Sequence, residues 1–255
     1  MKKYIISLFS VSLLAVSCKD FLHREPVEAI SITDQFSTEQ GLLEAVNGLY
    51  KTFRNTYIGS VSATTYGDLL SGNLAFSPNA SINRGTIEAP VSVKKIYDFD
   101  DSKLNSDGIM RSFYTNSYQL INNINLVLEN VDKVATSDEV KQRVKAEALT
   151  LRAYAHFQLM KYFSQNYTYT SDASHLGIIY NTRVQKVGVD YPSRPTIKQN
   201  MEQLQADISQ AISLFQTDTP AVPAGKKSYF ASKTMAQTLA ADIALWKNDW
   251  QTACD

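Results

Sequence analysis

The sequence predicts an all-α fold built from helix pairs stacked in chain order and interrupted by long irregular insertions. Two observations predict it. Helix breakers are few, with 10 Gly and 7 Pro among 255 residues, while Ala, Leu and Gln are frequent. Apolar residues also recur at helical spacing in five separate segments, most of them opened by a hydroxyl or amide residue suited to capping.

The N-terminus is not part of that fold. Lys2 and Lys3 precede an apolar or small run, Tyr4 to Val16. With Ser17 it reaches about 14 residues, short of the roughly 20 that a membrane-spanning helix needs. It reads as a secretory signal, residues 1–17. Ala15, Val16 and Ser17 lead into Cys18, a pattern resembling a bacterial lipobox, with Ala15 where that pattern usually has leucine. In this reading the Cys18 thiol takes the lipid and the chain is cut before it. Two or three acyl chains, at about 0.8 kcal/mol per buried CH₂, make a durable anchor. An ordinary signal peptide cut at another small residue is the alternative. Acylation of Cys18 leaves Cys254 alone, so an exported chain without a disulfide relies on its core.

Residues 18–36 read as a tether, with Pro26 and mixed polarity opposing a helix. A helix is expected from Ser37, where Ser37 and Gln40 fit a capping box. Leu42, Val46, Leu49, Tyr50 and Phe53 form its apolar face. Residues 55–108 carry Gly, Ser, Asn, Pro and Asp throughout and have no sustained period. This is an irregular insertion with one short strand, long enough to suggest a functional loop.

Periodicity returns near residue 109, with Phe113, Ser117, Leu120, Ile121, Ile124, Leu128 and Val131 on one face. The next helix starts near Ser137, where Thr136 and Glu139 offer a second capping box. Val140, Val144, Ala148, Leu151, Ala155, Leu159 and Tyr162 line it, and Ala146, Ala153, Phe157 and Met160 add a second apolar face. A helix apolar on two faces is sandwiched between neighbours. Residues 164–194 form a polar loop containing "LGIIYNTRV". Thr196 and Gln199 offer a third capping box, opening a helix lined by Ile197, Met201, Leu204, Ile208, Ile212 and Phe215. After "TPAVPAG" a fifth helix runs from about Tyr229 to Lys247, with Met235, Leu239, Ile243 and Trp246 opposite Ala236, Ala240 and Ala244. Asn248 and Asp249 break it, and a sixth helix begins at Trp250. So short a last helix cannot bury its face alone, which suggests the N-terminal part of a longer protein. Helix pairs with Ala-rich seams suggest a tetratricopeptide-like α-solenoid without a regular 34-residue period.

Composition excludes some functions. Without Lys2 and Lys3 the chain has 23 basic and 25 acidic residues, which offers no basic face for nucleic acid. His23, His156 and His175 are widely spaced, with no Cys or carboxylate at metal-ligand spacing. Asp100 and Asp101 lie in a polar loop without an EF-hand pattern and read as solvated. No phosphate-binding or nucleophile-elbow motif occurs. Arg152 and His156 in "LRAYAHF" share a helix face and read as structural, with Arg152 capping or pairing locally.

Six segments together resemble the SusD/RagB family of outer-membrane nutrient-binding lipoproteins. They are "SCKDFL" followed by Pro26, "FSTEQGLLEAVNGLY", "YQLINNINLVLENV", "KAEALTLRAYAHFQLMKYFS", "RPTIKQNMEQLQADISQAISLF" and "SKTMAQTLAADIALWKNDWQTA". They occur in the family's order and span nearly all of the chain after Cys18. The resemblance implies a non-enzymatic cell-surface lipoprotein that needs no cofactor. It would bind an oligosaccharide, or sometimes a peptide, and act as a lid on a TonB-dependent transporter barrel. A helical scaffold lipoprotein binding only proteins is the alternative. Lys19 and Asp20 resemble the family's short charged export signal. The resemblance also implies that the 55–108 insertion supplies part of a glycan site, with Asn73, Phe76, Arg84, Tyr97 and Phe99 as candidate ligand-binding residues. It matches a region there and not a motif. In the structural reading, Tyr97 and Phe99 pack under the loop and Arg84 makes a surface ion pair.

Overall fold

A computed structural model describes residues 31–58, 67–68, 71–73, 81–82, 85–86, 108–186, 188–216 and 230–254. Seven helices are described: α1 (Ile32–Gln35), α2 (Glu39–Tyr57), α3 (Gly108–Asn130), α4 (Asp138–Phe163), α5 (Ile197–Leu214), α6 (Lys233–Trp246) and α7 (Trp250–Cys254). A 3₁₀ turn, Val131–Lys133, follows α3. Between α2 and α3, β1 (Ser81–Ile82) and β2 (Gly85–Thr86) pair antiparallel, Ser81 opposite Thr86.

The helices stack in chain order, as a solenoid requires. The helix α2 packs on α3, α3 on α4, α4 on α5, α5 on α6, and α6 on α7. The fold is all-α with tetratricopeptide-like helix pairs. The helix α4 is the hub, because it also touches α2 and α6. From Ala146 to Met160 every residue of α4 except Tyr154 is buried, which fits the two apolar faces of its sequence. Leu42, Leu120, Ile121 and Ile124 are fully buried around it, as are its own Leu151 and Phe157. Each such side chain contributes about 1.5–3 kcal/mol on leaving water.

The caps correct the sequence reading by one residue at two helices. Thr38, not Ser37, caps α2 by accepting from the Gly41 amide, while Ser37 Oγ donates to the Asp34 carbonyl. Gln40 reaches forward to Glu44 instead of back to a cap. Ser137, not Thr136, caps α4 by accepting from the Val140 amide, and Thr136 Oγ1 donates to Glu39 Oε2 on α2. The Thr196–Gln199 box is complete in both directions. The helix α6 starts at Lys233, behind a Ser232 cap that accepts from the Met235 amide. The end of the expected tether is folded: Ser31 caps α1, and Phe36 is buried in the core. Asn248 takes φ 64°, the left-handed turn that separates α6 from α7.

Candidate ligand-binding surface

Of the candidate residues from the sequence, Asn73 is described. It is exposed, and its Nδ2 donates to Asp68 Oδ1 at 3.4 Å. Phe76, Arg84, Tyr97, Phe99 and the expected lipid site Cys18 lie outside the described residues. Gly67, within the insertion, lies against the Tyr162 hydroxyl at the C-terminal end of α4. Aromatic residues collect around this end of α4.

Those residues form a continuous chain of rings. Phe53 contacts Tyr57 and Tyr154, each with centroids 5.1 Å apart. Tyr57 stands edge-on to Phe113 at 5.7 Å, and Phe113 edge-on to Tyr162 at 5.4 Å. Phe113 also stacks on Phe163 at 6.1 Å. Tyr114 meets Phe163 at 5.0 Å and Tyr118 at 4.7 Å, which carries the chain of rings to the surface. Edge-to-face geometry sets the positive ring edge against the negative face of its neighbour. The Tyr57 hydroxyl satisfies itself on Ser117 Oγ at 2.9 Å, and burial pushes its phenol up.

A strap, residues 176–186, crosses α3, α4 and α5 and is pinned at each. The Tyr118 hydroxyl on α3 donates to the Ile179 carbonyl at 3.0 Å. Asn125 Nδ2 donates to the carbonyls of Asn181 and Arg183 at 3.1 and 3.0 Å. From α5, Asn200 Oδ1 accepts from the Ile178 amide at 2.6 Å. Beneath the strap, Arg152 forms a two-pronged pair with Asp207, Nε to Oδ2 at 2.8 Å and Nη2 to Oδ1 at 2.6 Å. Arg152 Nη1 donates to Asn125 Oδ1 at 2.9 Å, and the Tyr180 hydroxyl donates to Asp207 Oδ2 at 2.8 Å. The partner of Arg152 is thus 55 residues away, which corrects the expectation of local pairing.

His156 is held neutral in the same network. Its Nδ1 contacts the Arg152 carbonyl at 3.0 Å, and its Nε2 accepts from the Asn181 amide at 3.1 Å. A carbonyl only accepts and an amide only donates, so the proton resides on Nδ1. Burial, then the nearby Arg152 charge, lowers its pKa to about 3. The ring stacks on Tyr180 with centroids 3.7 Å apart. Both ring nitrogens are occupied, so His156 serves the scaffold. Among the described residues, no group of three or more His, Cys, Asp or Glu could hold a metal ion.

Where α3 meets the strap a groove opens, with a volume of about 490 Å³. Tyr114, Tyr118, Gln119 and Asn122 form its α3 wall, and Ile179, Asn181, Gln185 and Pro192 face them. Asn122 Oδ1 accepts from the Gln185 backbone amide at 2.7 Å. The Gln185 side chain donates to the Arg183 carbonyl at 3.2 Å, but its buried Oε1 has no hydrogen-bond partner. Sequence reasoning singled out none of these as site residues. The available signal was the spacing of Tyr114, Tyr118 and Asn122, a second helical stripe one position beyond Phe113, Ser117 and Ile121.

Comparison with known proteins follows the helical body. Residues 20–245 match the SusD-like family described as starch-binding and associating with the outer membrane. The chain is 27% identical over 187 residues to SusD-like protein P2 of Formosa agariphila, covering 71% of this chain and 34% of that protein. It thus spans about a third of the length of that relative. A SusD superfamily protein from Bacteroides thetaiotaomicron superposes with a TM-score of 0.65 at 25% identity, over 85% of this chain and 44% of that one. A laminarin-binding SusD-like protein shares the fold, with a TM-score of 0.63 at 17% identity, over 85% of this chain and 42% of that one. Among the described residues, no helix is long and apolar enough to cross a membrane.

Proposed function

The chain belongs to the SusD-like family, described as starch-binding and associating with the outer membrane, and we propose that it is a cell-surface lipoprotein that captures an oligosaccharide for a TonB-dependent transporter barrel. The family match over residues 20–245 carries this reading, because it spans α1 through nearly all of α6 and not one motif. The laminarin-binding neighbour supports a glucan or a related glycan as the ligand class. The body uses its buried polar groups to hold its own fold together. Its buried ionisable pair, Arg152 and Asp207, faces inward on itself, and neutral His156 holds the strap. In this proposal residues 1–17 are the export signal, acylated Cys18 is the anchor, and the 55–108 insertion with Asn73, Phe76, Arg84, Tyr97 and Phe99 contributes to the glycan site. No cofactor takes part.

The test is calorimetric titration of the full-length protein, made soluble by Cys18→Ala, with a panel of oligosaccharides. Binding to at least one glycan, without release of cleavage products, is the expected result. Absence of binding to every glycan, together with co-purification of a barrel or a peptide, would favour a scaffold that binds only proteins.

A further inference from the structure

We propose that the groove between α3 and the strap is a subsite for one uncharged pyranose ring of the captured oligosaccharide, with Tyr114 and Tyr118 as its platform and Gln185 as an acceptor for a ring hydroxyl. The proposal deepens the glycan-binding reading and rests on it.

Three features lead to this ligand chemistry. The first is the aromatic wall. Tyr114 remains 38% exposed although it contacts both Phe163 and Tyr118, so it ends the aromatic chain at solvent. A tyrosine pair offers a broad apolar surface to the C–H face of a sugar and keeps polar tips for water. The second is Gln185 Oε1, a buried acceptor without a partner. Such an atom costs about 1–3 kcal/mol while unmet, and native structures leave few of them. With under 1 Å² of its surface accessible, it must turn toward the groove to meet a sugar hydroxyl, the small neutral donor that it lacks. The third is charge. Tyr, Thr, Gln, Asn, Ile and Pro line the groove, and no Asp, Glu, Lys, Arg or His is among them. The lining itself offers a phosphate, a uronic acid or an acidic peptide no charged partner, although Arg194 stands near enough to act on the Tyr118 hydroxyl; a neutral hexose needs none.

The groove is also held in shape before any ligand arrives. The Tyr118 hydroxyl fixes Ile179, Asn122 fixes Gln185, and Asn125 fixes Asn181. Walls already ordered lose little entropy on binding. A volume of about 490 Å³ lies within the range of small-ligand sites. Tyr114 lies within the first two turns of α3.

The deciding experiment compares the Cys18→Ala protein with Tyr114→Ala and Gln185→Leu added singly. Each is titrated with maltoheptaose, laminariheptaose, an oligogalacturonate and an acidic peptide. The expected result is binding of a neutral oligosaccharide that Tyr114→Ala weakens about tenfold or more and Gln185→Leu several-fold. Hydrogen exchange at residues 114–122 and 178–186 should slow when wild type is saturated, which guards against a variant that is merely misfolded. Variants that bind within twofold of wild type, unchanged exchange at both segments, or a preference for the charged probes would overturn the subsite while leaving glycan capture intact. Failure of wild type to bind any oligosaccharide would overturn both.

Discussion

The Tyr50 hydroxyl donates a 2.8 Å hydrogen bond to Glu147 Oε2, across 97 residues of sequence, and accepts a 2.9 Å bond from the Ala231 amide. One phenol thereby ties α2 to α4 and to the segment entering α6. Phe230 stands edge-on to the Tyr50 ring at 4.6 Å, closing the site from that side. Glu147 is 3% exposed, and burial raises its carboxyl from 4.5 to about 7, against the opposing pull of Tyr50 and Arg143.

This carboxyl makes stability depend on pH. Its folded pKa lies above its unfolded one, so the folded state holds more protons between them. The stabilising effect is full below pH 4.5 and is lost as pH rises toward about 7, a change of roughly 3 kcal/mol. Glu147→Gln keeps an acceptor for Tyr50 and removes the titration. Thermal melts from pH 4 to 8 should show the variant gaining on wild type across that window and holding its lead above it. A constant difference would contradict the assignment.

The Arg152–Asp207 pair predicts a non-additive double mutant. Asp207→Ala strands a buried guanidinium and takes an acceptor from Tyr180, and should cost about 3–5 kcal/mol in urea unfolding. Arg152→Met with Asp207→Ala removes both charges and should cost less than the sum of those two single changes. Strict additivity would mean that the pair is not coupled.

Gly177 predicts a steric failure. A Cβ there would collide with Asn200 Oδ1, the atom that accepts from the Ile178 amide. Gly177→Ala must displace Asn200 and break that bond, and should destabilise the protein by about 2–3 kcal/mol. Gly48 is the control, since a Cβ there meets nothing. Gly48→Ala in the middle of α2 should be neutral or stabilising by up to about 1 kcal/mol. Equal melting points for the two variants would refute the collision.

The proposed anchor is tested by Cys18→Ala. The variant should lose its acyl chains and leave the membrane fraction on detergent-free fractionation. Mass spectrometry of the N-terminal peptide checks the modification directly. Unchanged partitioning would remove Cys18 as the anchor.

The positions and core faces of α2 through α6 were readable from the sequence, because helical periodicity depends on residues only three or four apart. Both arms of the Thr196–Gln199 box were readable for the same reason. The choice between adjacent hydroxyls was not. Ser37 and Thr136 both had capping chemistry, but one turned to the Asp34 carbonyl and the other to Glu39 on α2, which left Thr38 and Ser137 as the caps. The same limit applies to Arg152: its helix face was legible, its distant partner Asp207 was not. Of the insertion residues chosen for ligand binding, Asn73 proved exposed. Tyr114, Tyr118 and Gln185 were passed over, because their groove exists only where the strap lies on α3. Sequence alone determined which residues become helical and which faces turn inward, since those depend on local period and the aversion of apolar groups to water. Only the tertiary structure decided which polar groups meet and where a concave surface opens, since a hydrogen bond requires its partners within about 3 Å whatever their distance along the chain.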